Sequence, residues 1–125
     1  MQSGFEGEIK SELRSEIDAS EKNYAIIKDI LSGVKFDTSD AKGTLQSFKD
    51  NLSKVNSLFI VLSQMQGSPQ SIPINSLLEK LDFALVLIEL YPKENPSQII
   101  QTALLLSDTK VENVMSLLSI LKKAI

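Results

Sequence analysis

A chain of 125 residues with 42% apolar residues and a net charge of -3 is one domain's worth of polypeptide, and it lies outside the disordered class of low hydrophobicity and high charge. The absence of Cys and His removes disulfides, thiolate nucleophiles, sulfur-ligated zinc, the commonest general base and the commonest metal ligand, so no cofactor and no metal are expected. A pI near 4.9 argues against a free-standing binder of nucleic acid. Four prolines and five glycines are too few for an all-β chain with many turns.

The opening stretch, "MQSGFEGEIKSEL", has no basic region followed by an apolar core, so no signal peptide is expected and a cytoplasmic location follows. From about Glu6 to Ser32 the apolar residues are Ile9, Leu13, Ile17, Tyr24, Ile27 and Leu31, with Val34 beyond and Ser20 filling the gap. From Leu13 onward the steps alternate between four and three, which is a heptad seam on one helical face. Glu6 with Lys10 and Asp18 with Lys22 form favourable pairs on the outer side. Gly33 stands where a left-handed cap would end the helix, and Ser20 marks the one place where it could break.

The second segment opens after "FDTSD", with Thr38 or Ser39 as the expected cap and Asp40 complementing the helix dipole. Ala41, Leu45, Phe48, Leu52, Val55, Phe59 and Leu62 repeat the same alternation, and Gly67 closes it. Two such helices, each about 40 Å long at about 1.5 Å per residue, predict an antiparallel αα-hairpin over 1–66. Residues 67–73, "GSPQSIP", form a connection, because neither Pro69 nor Pro73 can continue a helix.

Residues 74–125 differ in character. "LDFALVLIEL" is apolar on most faces, which predicts a third helix, about Ile74 to Leu90, enclosed by protein as a central rod. After Tyr91-Pro92 a fourth helix restarts with Asn95 as cap, Pro96 at the first position and Gln98 as capping-box partner. A fifth begins at Ser107, Asp108 or Thr109 and ends at Lys122 and Lys123, where the dipole favours cations. The expected fold is all-α, a single bundle of about five helices, with the last two sharing the fourth position as one broken helix.

Val55 to Leu78 is a run of twenty-four uncharged residues. Its continuous apolar part spans only Leu58 to Leu62, far short of the ~20 residues a membrane helix needs, so no membrane span is expected. Its neutrality fits helix ends lying against apolar surface, where a charge would lose hydration without gaining a partner. Asn95 to Ser107 is a second uncharged run. Surplus apolar surface in the C-terminal half predicts a non-enzymatic interaction or adaptor module that self-associates as a dimer or docks a helical partner. Phe59, Leu62, Leu87, Ile100 and Leu104 are the expected interface residues.

Other chemistry is thinly supported. Glu79, Asp82 and Glu89 stand in an apolar context that could raise a carboxylate's pKa, yet they follow one narrow stripe with no His, Cys or glycine-rich loop beside them. A solvent-facing edge is the better reading, and no enzyme is expected. The alternative function is a small helical subunit of a nucleoprotein complex using Lys42 and Lys49, although the thirteen basic residues are scattered among sixteen acids. "NLS" at Asn51 matches a glycosylation sequon that is expected to be idle.

Overall fold

The two heptad seams close on each other. In the computed structural model, which describes residues 4–125, they form α1 (Gly4–Leu31) and α2 (Thr38–Met65). Met1, Gln2 and Ser3, where the reading of a leader begins, lie outside the described residues. Leu13, Ile17 and Ile27 face Leu45, Phe48, Leu52 and Val55, all essentially sealed from water. The two helices run antiparallel: Asn23 meets Asn51 midway along α2, and Glu6, near the start of α1, meets Gln66 just past the end of α2. Ser20 does not break α1. It is fully buried, and its Oγ donates to the Glu16 carbonyl at 2.8 Å, so the hydroxyl is satisfied within its own helix. Tyr24 stacks on Phe48, with ring centroids 6.0 Å apart.

A polar chain crosses the hairpin. The Asn23 amide donates to Asn51 Oδ1, and Asn51 Nδ2 donates to Glu16 Oε2, both at 2.8 Å. The nitrogen that a glycan would need at Asn51 is thus already committed. Both helices end on a left-handed glycine, Gly33 at φ 94° and Gly67 at φ 85°. The next amides, Val34 N–H and Ser68 N–H, reach back to the carbonyls of Asp29 and Ser63, which closes the last turns. Two local expectations fail here. The cap of α2 is Asp37, whose carboxylate accepts from Ser39 N–H, rather than Thr38 or Ser39. Asp18 is drawn away from Lys22 to Lys122, because the last helix passes beside it.

Three further helices follow: α3 (Asn75–Leu90), α4 (Pro96–Leu106) and α5 (Val111–Ala124), with no strand among the described residues. The fold is therefore an all-α bundle of five helices. α3 packs on α2 and α4, and α4 also reaches α1. α5 packs on α1, so α4 and α5 lie in succession along α1 and do not form a hairpin with each other. Asn95 caps α4 through Ser97 N–H, with Pro96 at its first turn. α5 starts later than expected, after Lys110 and with no side-chain cap, while the Ser107 hydroxyl donates to the Thr109 carbonyl at 2.6 Å. Buried side chains from all five helices join one core.

The placement of α3 corrects the expected central rod. Leu77, Leu81, Ala84 and Ile88 point inward, but Phe83, Val86 and Leu90 are exposed. α1 is the helix with three partners, and α3 occupies a corner. An all-round apolar helix can sit at a corner when its outer stripe has another use, or none. Its register on α2 is marked by two ion pairs one heptad apart, Lys42 with Glu89 at 3.1 Å and Lys49 with Asp82 at 2.5 Å.

Candidate interaction groove

The uncharged run ends α2 and supplies the connection to α3. Asn56 Oδ1 accepts the Ile72 N–H at 2.8 Å, and Ser63 Oγ accepts the Gln70 N–H at 2.8 Å. These neutral side chains give the non-helical backbone the partners that a helix or sheet would otherwise provide. They hold Ile72 and Ile74 in the core and set Pro73 against the end of α2. Asn56→Ala is expected to cost about 1–3 kcal/mol, since it strands a half-buried N–H, and to speed proteolysis within residues 67–73. Urea denaturation and limited digestion measure the two effects.

α5 carries two apolar stripes. Val111, Val114, Met115 and Leu118 face the core. On the outer side, Asn113, Leu117, Ile120 and Ala124 recur in steps of four, three and four, and all are exposed, Ile120 at 65%. Between this outer stripe and the end of α2 lies an open groove of about 310 Å³, walled by Phe59, Ile72, Pro73, Leu117, Ile120 and Leu121. Gln70 and Ser71 are its polar lining, and no charged side chain takes part.

α5 is fastened to α1 by Lys122, whose Nζ lies 2.5 Å from Glu21 Oε1 and 3.0 Å from Asp18 Oδ1. Hydrogen bonds to Glu21 and then Asp18 hold its pKa above the ordinary lysine value. The Tyr24 phenol is also raised, first by burial and then by the nearby Glu112 carboxylate. In both cases the folded state holds the proton more tightly than the unfolded chain does. The stability that the Lys122 ion pairs add is present below the unfolded pKa and is lost as pH rises through the folded one. Ionising the half-buried Tyr24 phenol costs stability over its own high-pH range. No side-chain type with an ordinary pKa between about 5 and 9 is present, since His and Cys are absent. Melting temperature is therefore expected to stay level from about pH 6 to 9 and to fall above about pH 10. A drop between pH 6 and 9 would contradict this assignment.

A second, more polar cleft of about 520 Å³ opens between α1 and α5 around Tyr24, Lys28 and Glu112, with Lys28 Nζ 5.0 Å from the Tyr24 ring centre.

The expected interface residues separate into two groups. Leu62, Ile100 and Leu104 are buried in the chain's own core. Each lies on the inward stripe of its helix. Phe59 is half-buried as a wall of the groove, and Leu87 is half-buried on α3. The outward apolar residues that sequence reasoning missed are Leu117 and Ile120, with Val86, Leu90, Leu105 and Leu106 on the neighbouring helices. For α5 the signal was available in the steps from Asn113 to Ala124.

The carboxylates Glu79, Asp82 and Glu89 do not converge. Asp82 and Glu89 face separate lysines of α2, and Glu79 pairs with Lys80 at 3.1 Å. Among the described residues no three His, Cys, Asp or Glu side chains gather closely enough to hold a metal ion. No described helix is long and apolar enough to cross a membrane. Set against models of known protein families, curated proteins and solved structures, the chain matches none of them.

Proposed function

We propose that this chain is a non-enzymatic helical interaction module that self-associates through the apolar surface of its C-terminal helices. The observation that carries the reading is the charge-free groove beside α5, flanked by the exposed Leu117 and Ile120. Scattered exposed leucines are ordinary on any protein. A contiguous apolar trough with a regular helical stripe along its edge is what marks an interaction surface. The alternative, a nucleoprotein subunit, loses support because Lys42 and Lys49 are engaged by Glu89 and Asp82 and leave no basic patch between them.

Static light scattering at micromolar concentration tests the reading. The expected mass is twice 13.8 kDa, and a monomer mass throughout the micromolar range would overturn it.

A further inference from the structure

The occupant of the groove can be read from α5 itself. The spacing of Asn113, Leu117, Ile120 and Ala124 is the same in both directions along the helix. Turned end for end about a twofold axis, the stripe meets its own copy: Leu117 falls opposite Ile120 twice, and Asn113 falls opposite Ala124 at each end. Such a rotation also sets each flank of the helix against the same flank of the copy. One flank bears Glu112 in the first turn and Lys123 in the last, both exposed. The reversal therefore brings each Glu112 within reach of the other copy's Lys123. Lys123 makes no ion pair among the described residues, whereas its neighbour Lys122 is committed to Asp18 and Glu21. The other flank is the wall of the groove, with Phe59 and Ile72, and carries no charge to oppose itself.

The exposed stripe of α3 lacks this self-match. The same rotation about Phe83 and Val86 sets the charged Glu79 against the apolar Leu90 at each end, both exposed. We infer that the groove is filled by α5 of a second copy, in an antiparallel pair about a twofold axis. This rests on the self-association proposed above and names the surface that performs it. One helix pair with a groove wall falls near the lower size limit of stable interfaces, about 1,200 Å² in total, so the dimer is expected to exchange with monomer.

Sedimentation velocity on the full chain and five variants tests the arrangement, with circular dichroism confirming that each is folded. Ile120→Lys is expected to be monomeric with an unchanged helical spectrum, since Ile120 is exposed in the single chain. Val86→Lys is expected to dimerise as the unmodified chain does. Glu112→Lys and Lys123→Glu alone each place like charges at both ends of the pair and are expected to weaken dimerisation about tenfold. The double variant Glu112→Lys with Lys123→Glu restores opposite charges and is expected to return to within about twofold of the starting affinity. A dimer that survives Ile120→Lys, or one abolished by Val86→Lys, would overturn this placement while leaving self-association standing. Failure of the double variant to recover would overturn the antiparallel pairing. A monomeric unmodified chain would overturn both this inference and the function it rests on.

Discussion

Phe48→Ala is expected to cost about 3–5 kcal/mol, a large part of the roughly 5–15 kcal/mol that holds a typical domain together. Phe48 is among the largest fully buried side chains, and it sits in the middle of the α2 seam where α1 crosses it. Its ring lies against Tyr24, so truncation removes both the transfer of a phenyl group from water and an aromatic contact. The neighbours offer little collapse into the space. Ser20 and Leu45 are themselves fully buried on helices whose register is pinned by the Glu16, Asn51 and Asn23 chain. Urea unfolding followed by circular dichroism measures the loss. A cost under about 1.5 kcal/mol would show that the hairpin seam is not the main source of stability.

Leu81→Lys and Val86→Lys are expected to part company although they sit on one helix. Leu81 is fully buried between α3 and the core, and no carboxylate lies inside to receive an ammonium group. Burying that charge unpaired costs several kcal/mol, so the Leu81→Lys chain is expected to be unfolded or molten at 25 °C. Val86 is 55% exposed, with Asp82 one turn before it and Glu89 one turn after, and a lysine there meets water and two acids. Its effect on stability is expected to stay within about 0.5 kcal/mol. Equal destabilisation by the two substitutions would mean that α3 is enclosed on all sides, which the corner placement forbids.

Much of the fold was legible in the sequence, because the two long seams were regular enough to specify both helix type and buried face. Ile17, Leu52 and Val55 fell inside as their spacing required. The Asn95-Pro96 start of α4 was equally plain, since its cap chemistry is local. Local chemistry misled where two residues competed for one task. Asp37 outcompeted Thr38 and Ser39 as the cap of α2, and α5 begins after Lys110 with no side-chain cap, beyond Ser107, Asp108 and Thr109.

The position of α3 was not legible, because a helix apolar on most faces presents no periodicity from which an inward direction can be read. Its outer stripe is exposed because its partners α2 and α4 cover only the inward side of α3 and leave the far side to solvent. The same gap explains why Leu62, Ile100 and Leu104 looked available to a partner. Composition says how much apolar surface exists; only tertiary packing says which part remains uncovered. The neutral character of Val55 to Leu78, by contrast, has a cause visible in both. Asn56 and Ser63 serve the backbone of the connection, and Phe59 with Pro73 walls a groove that would be spoiled by a charge.

Thermal unfolding over a range of protein concentrations tests most directly whether the exposed apolar surface of α5 joins two copies. Association of folded chains stabilises them by mass action, so the melting temperature of the unmodified protein is expected to rise by a few degrees from low to high micromolar concentration. That of Ile120→Lys is expected to stay constant over the same range. A melting temperature of the unmodified chain that does not move with concentration would contradict the account.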